Sequence, residues 1–329
     1  MKHPILAAAV AASAVAALAA CSSQPNTTPD DSTSFPVAGT PVTLVVPFDA
    51  GGLTDTLARL VAPAFEDALG TTVRVENKPG AGGQIGLTEL VGEDPDGYTI
   101  GFTNLPSGLA YLDPARAATY DFDSFSPIAS VALSPTVLAV RADSPYETLQ
   151  DYVDAAKDTP GVVTLGSGGS GASDDYLASV YLEDEADVDL NIVTFEGGSS
   201  DKVTALLGGS VEAIMGSAGG FLPQVESGQL RLLASATTEP SAILDDVPTF
   251  GEEGYDVVSS GTINISGPAG IPDEVIEALS AAIKVATEDP QFTDKLAASG
   301  FETHYQSSAD LIADWKAQET LVRETVFSD

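Results

Sequence analysis

From Pro41 onward the chain repeats one unit, a short apolar run, then a turn rich in glycine or serine, then a helical pattern. Val42–Val46 is expected as a strand, Gly51-Gly52 as a turn, and Thr54–Leu69 as a helix stopped by Gly70. Thr72–Glu76 is the next strand, and the loop from Asn77 to Gly83 opens a helix that runs to Leu90. Tyr98–Phe102 is the strand after Asp94-Pro95-Asp96-Gly97. A second cycle starts near Thr136–Val140 and carries a helix over Leu149–Lys157 and a strand over Val162–Leu165. A Gly/Ser loop then opens a helix at Ser173, and Asn191–Phe195, the loop after it and a helix to Leu207 repeat the unit again. Helices are expected at Asp273–Thr287, near Phe292–Ser299 and at Ser308–Val326, with Asp273, Ser307 and Ser308 as candidate caps. Strands that alternate with helices this regularly predict an α/β architecture with largely parallel sheets.

The loops suggest a binding chemistry. A helix N-terminus offers unpaired backbone N–H groups at the positive end of the peptide dipoles, so an anion can dock there without Arg or Lys. Three loops have this character: Phe48-Asp49-Ala50-Gly51-Gly52-Leu53-Thr54-Asp55, Gly168 to Ser173, and Phe195-Glu196-Gly197-Gly198-Ser199. In parallel α/β sheets such loops gather at the strand C-termini, so loops from two domains can face each other across a cleft.

The start of the chain reads as an export signal. Met1-Lys2-His3 precedes an apolar run from Ile5 to Ala20 that is too short to span a bilayer, and then comes Cys21, the chain's one cysteine. Leu18-Ala19-Ala20-Cys21 resembles the bacterial lipoprotein box, in which the cysteine is acylated. The polar, proline-containing stretch that follows reads as a tether. What remains is long enough for two compact domains.

Composition narrows the function classes. With 13 Lys+Arg against 48 Asp+Glu the formal net charge is −35, so no nucleic-acid partner is expected. A solvated acidic surface accounts for this charge, and a cationic ligand stays open as the alternative. Past the export signal the only histidine is His304, which leaves no His/Cys metal cluster and no Cys nucleophile. No serine sits in a complete G-x-S-x-G elbow. Gly166-Ser167-Gly168-Gly169-Ser170-Gly171 satisfies a dinucleotide fingerprint, with Asp187 and Asp189 near the expected ribose position. An exported chain has no expected nicotinamide supply, so no cofactor is assigned. Asp174-Asp175 and Asp245-Asp246 are read as solvated face residues, His304 as a surface or packing residue, and Trp315 as part of the last helix's apolar face.

Several motifs then fall in a familiar order. Val46–Asp55, Val75-Glu76-Asn77-Lys78-Pro79-Gly80-Ala81-Gly82-Gly83, Pro95–Thr99, Leu206–Glu212, Asp246–Thr249 and Gly267–Pro272 together resemble the extracytoplasmic receptors of tripartite tricarboxylate transporters, the Bug family. The resemblance spans nearly all of residues 41–329.

It implies a two-lobed, periplasmic-binding-protein-like α/β fold with crossing hinge strands. Residues 41–139 with 262–329 would form lobe 1 and residues 140–261 lobe 2, behind a signal peptide at 1–20 and a lipidated tether at 21–40. It further implies a non-catalytic receptor that closes on a small organic carboxylate and presents itself to transporter membrane subunits, anchored to the bilayer through acylated Cys21 and expected as a monomer. By this analogy lobe 1 contacts the ligand through Phe48, Asp49, Ala50, Gly51, Gly52, Thr54, Asp55 and Thr103. Lobe 2 would supply Gly169, Ser170, Gly171, Ala172, Ser173, Phe195, Gly197, Gly198 and Ser217. Some positions depart from the family. Ser170 and Ala172 replace a common Asn and Thr, Phe195-Glu196-Gly197 replaces a frequent Tyr-Lys-Gly, and Gly216 stands where an aspartate is common. Glu196 would disfavour a second ligand carboxylate or pair with an amino group. The rival classes are an exported hydrolase and a surface adhesin.

Overall fold

The computed structural model of the protein describes residues 35–169, 172–195 and 198–327. Elements are numbered along the chain. The first lobe holds β1 (Val42–Val46), β2 (Val73–Asn77), β3 (Thr99–Phe102), β4 (Phe125–Ser134), β10 (Gly261–Pro268) and β11 (Glu302–Thr303). Its helices are α1 (Leu53–Leu69), α2 (Gln84–Leu90), α7 (Asp273–Thr287), α8 (Pro290–Ala298) and α9 (Ser308–Thr325). The second lobe holds β5 (Thr136–Arg141), β6 (Thr164–Gly168), β7 (Asn191–Phe195), β8 (Ala213–Ser217) and β9 (Leu230–Ser235). Around them pack α3 (Leu149–Asp158), α4 (Asp174–Ala186), α5 (Ser199–Leu207) and α6 (Ala218–Glu226).

The two sheets run β11-β4-β10-β3-β1-β2 and β7-β6-β8-β5-β9. The expectation of largely parallel sheets needs correction, because among the described residues only β1 with β2 and β3, and β6 with β7 and β8, are strands that pair parallel. The strands next to the crossings pair antiparallel: β4 with β10, β3 with β10, and β5 with β8 and β9. The reason is topological. The chain leaves the first sheet along β4, turns at Pro135 into β5, and returns through residues 236–260 into β10. A strand that enters or leaves a sheet from the neighbouring lobe runs against the βαβ units already there.

β5 shows why the apolar runs are continuous rather than alternating. Val137 and Ala139 pack on one face with Val203, Leu206, Ile214 and Phe221. Leu138 and Val140 pack on the other with Tyr152, Val153, Leu165 and Leu182. A strand covered on both faces needs apolar residues at every position.

Contacts among the described residues join the lobes. Ala172 and Leu177 of the second lobe pack in one apolar cluster with Leu105, Leu109, Leu311 and Trp315 of the first. Gly300, with φ of 78°, lies flat on Gly219, so a Cβ built on Gly300 would meet Gly219 Cα at 2.2 Å and its N at 2.7 Å. Beside this contact Ser241 Oγ donates to the Glu302 carboxylate. The expected cap Ser307 accepts from Asp310 N, whereas Asp273 is the first residue inside α7 and Pro272 stands at its cap.

Candidate functional site

In the first lobe, the turn between β1 and α1 is built around Asp55. Gly51 has φ of 82°, a conformation that glycine adopts without a Cβ clash. Its N–H donates to Asp55 Oδ2 at 2.8 Å. Arg59 Nε donates to the same oxygen at 3.0 Å, and Asn77 Nδ2 donates to Oδ1 at 3.0 Å. Asn77 Nδ2 also reaches the Phe48 carbonyl at 3.2 Å. The Arg59 guanidinium and the Gly51 amide hold the Asp55 carboxyl down at about 2. Asp55 is 3% exposed and thus braces the loop from beneath. Gly52 caps α1 with no side-chain hydrogen bond, so the first amides of α1 are presented by backbone alone. Phe48 is half-buried, while Asp49, Ala50 and Gly51 are exposed around this turn.

Thr54 and Thr103 diverge. The Thr103 side chain is buried and its hydroxyl pairs with Ser266 Oγ at 2.6 Å inside the sheet, so it is spent in the core. The polar group beside Thr54 is the neighbouring Asn104, whose Nδ2 donates to Thr54 Oγ1 at 3.1 Å. Asn104 Oδ1 is buried and finds no donor among the described residues. Sequence reasoning missed Asn104; its only signal was its place two residues past the end of β3.

In the second lobe, Ser170, Gly171, Glu196 and Gly197 lie outside the described residues, as does Cys21. Gly169 is exposed at the end of β6, Ser173 stands at the N-terminus of α4, and Ala172 packs its methyl into the interlobe cluster. Phe195 is half-buried against Val203 and Val211, and Gly198 caps α5. Ser217 caps α6 and pairs with Ser134 Oγ at 2.6 Å, and Ala218 N donates to the Pro135 carbonyl, so this terminus is tied to the crossing segment. The chain therefore brings Thr54, Asn104, Leu105 and Ala172 along one interlobe seam and leaves the Thr103 hydroxyl behind it.

The reading of Asp174-Asp175 as solvated face residues fails. Asp174 Oδ2 accepts from Thr136 Oγ1 at 2.7 Å, and its carbonyl accepts from Ser259 Oγ at 2.9 Å. One residue thus touches both crossing segments. Asp175 is 7% exposed and pairs with Lys202. Position decides this: both carboxylates sit where α4 meets the sheet, not on its outer face.

Burial, then the neighbouring Asp175 charge, raises the Asp174 carboxyl from 3.8 to about 6. A raised carboxyl favours the neutral form in the folded state, so its contribution to stability is fully present below 3.8 and is lost as pH rises through about 6. Asp174→Asn should remove that loss while keeping an acceptor for Thr136. The melting temperature of the variant should match wild type near pH 4 and exceed it near pH 8. Parallel melting curves for both proteins from pH 4 to 8 would refute the assignment.

A cavity of about 560 Å³ lies away from the glycine loops, bounded by Leu133, Tyr181, Thr237, His304 and Gln318. Burial lowers the His304 pKa, favouring the neutral ring, and Glu239, Glu302 and Asp314 line the cavity without a Lys or Arg among the described residues. Its charge repels an organic anion.

Residues 57–326 match the family described as "Tripartite tricarboxylate transporter family receptor". The chain belongs to this family. A curated relative from Cupriavidus necator, "UPF0065 protein in gbd 5'region", is 34% identical over 274 residues, which is 82% of this chain and 81% of the relative. Among solved structures, MatC of Rhodopseudomonas palustris with bound malate superposes with a TM-score of 0.72 at 25% identity, covering 89% of this chain and 100% of MatC. A second R. palustris protein, solved with adipate, gives a TM-score of 0.75 at 26% identity over 89% of this chain and 98% of its own. The receptor is thus a solute-binding protein of the extracytoplasmic kind, in a family of binding proteins rather than enzymes.

Proposed function

We propose that the receptor captures a small organic carboxylate in the seam between its lobes and passes it to transporter membrane subunits, working as a monomer anchored through acylated Cys21. What carries this reading is the family match over 57–326 together with two solved relatives that hold malate and adipate, both dicarboxylic acids. The receiving groups are the loop from Phe48 to Thr54 and the loops that open α4 and α5. Asp55 and Thr103 support them from behind. Asn104 Oδ1 adds an acceptor suited to a ligand hydroxyl or a bridging water. The lobes, 41–139 with 262–329 and 140–261, would close by bending at Pro135 and within 236–260, so that capture and recognition by the transporter are one event. The hydrolase alternative has no relative among these proteins to support it.

A thermal-shift screen of mono-, di- and tricarboxylates, amino acids and aromatic acids on the domain after Cys21 tests the ligand class. An acid at a hundred times its Kd should add about 2.7 kcal/mol to stability. A melting shift with sugars or cations alone would overturn the carboxylate reading. For the anchor, Cys21→Ser should move the protein from the membrane fraction to the soluble one, and its retention in membranes would remove lipidation.

A further inference from the structure

Lys202 has no role in the reading above. It sits in the first turn of α5, 3% exposed, in a chain whose positive charges are few. Its Nζ pairs with the Asp175 carboxylate in the first turn of α4 and donates to the Met215 carbonyl near the end of β8 at 2.9 Å. The Phe221 ring of α6 lies under the same ammonium, 5.9 Å from Nζ to centroid. One side chain therefore touches α4, β8 and α6 from α5, and α4 and α5 are the helices whose starts are assigned to the ligand in this lobe.

The surroundings are shaped to admit it. A Cβ on Gly216 would lie 2.7 Å from Lys202 Nζ and 2.8 Å from the Phe221 ring. A Cβ on Gly168 would lie 2.4 Å from Asp175 Oδ1 and 2.6 Å from Ser173 Oγ. Two glycines, at and near strand ends, thus leave room for a buried ion pair between the first turns of α4 and α5. A buried pair is a costly way to gain stability, since an apolar pair would fill the same space without desolvating two charges. What a buried pair provides is a fixed geometry.

We infer that Lys202 is the positioning residue of the second-lobe half of the site: by joining Asp175 to the Met215 carbonyl it fixes the first turns of α4 and α5 against β8, at the spacing in which the amides of these two helix starts receive one ligand carboxylate. This rests on the proposed carboxylate function. Preorganised donors bind without the cost of ordering loops at the moment of capture, so loosening them weakens binding while leaving the lobe's core in place.

The test uses Lys202→Met and, because that change strands a buried Asp175 charge, the double variant Lys202→Met/Asp175→Asn, which removes both charges together. Hydrogen exchange in the ligand-free protein should quicken at least tenfold at amides 172–178 and 215–218 of the double variant. The first-lobe turn at 49–55 should be unchanged. Affinity for the acid found by thermal shift should fall at least tenfold, and Gly216→Ala, which displaces Nζ without altering charge, should lower it in the same direction. Exchange at the wild-type rate in those segments, or an affinity within twofold of wild type in the folded double variant, would overturn the assignment. If wild type itself binds no organic acid, the proposed function fails, and exchange in the ligand-free variants still decides whether Lys202 holds the loops.

Discussion

Gly300→Ala is expected to lower the melting temperature, to separate the lobes in solution scattering, and to weaken ligand binding more than tenfold. Two costs add. A non-glycine residue at φ of 78° carries left-handed strain of about 1–2 kcal/mol. The new methyl would also meet the backbone of Gly219 at 2.2 Å, a distance that no rotamer change relieves because Cβ is fixed by the backbone and its partner is main chain. Overpacking of this kind costs about 1–3 kcal/mol. The cheapest escape is for the turn at 299–301 to draw away from α6, which opens the interlobe contact. Ligand energy must then close it again, and each 1.4 kcal/mol so used is about tenfold in affinity. An unchanged scattering profile with wild-type melting would show that the glycine contact is not a tight one.

Asp55→Ala is the second large effect. It strips the acceptor from Gly51 N–H, from Asn77 Nδ2 and from Arg59 at once; the carboxylate is buried, while Gly51 and Arg59 lie at the surface. A hydrogen bond to a charged acceptor is worth about 1.5–3 kcal/mol, but Gly51 and Arg59 can turn to water, so the three losses do not sum in full. The expected result is a loss of about 2–4 kcal/mol in chemical denaturation, with ligand affinity down by at least tenfold as the turn from Asp49 to Gly52 loosens. Because the folded carboxyl is held at about 2, its stabilising share is present above its ordinary value of 3.8 and disappears as pH falls toward 2. Wild type and variant should therefore converge in stability at the acidic end. A variant with wild-type affinity would show that the turn keeps its shape without this brace.

Periodicity and punctuation made most of the fold legible. α7 runs over the expected Asp273–Thr287, and α1, α3 and α9 differ from expectation by single residues at their ends. β4 and β10 were not legible as strands. They carry Pro127, Ser130, Asn264 and Gly267 within them, residues that ordinarily mark loops, yet every position of β10 is buried and Ser130 finds the His304 carbonyl. The site was legible as glycine loops at strand ends and illegible in what holds them. Asp55 depends on Asn77, and Asp175 on Lys202, partners separated by 22 and 27 positions. No local pattern marks such a pair. The same distance explains why Asp174 and Asp175 looked like surface charges.

The apolar covering of β5 on both faces has a mechanical consequence. A sheet gripped from two sides behaves as a stiff plate, so the proposed closure would bend at the seams, Pro135 and 236–260. A closure driven at two seams immobilises few torsions. The entropy lost on capture is then small, and even a ligand of a few heavy atoms can hold the plates together.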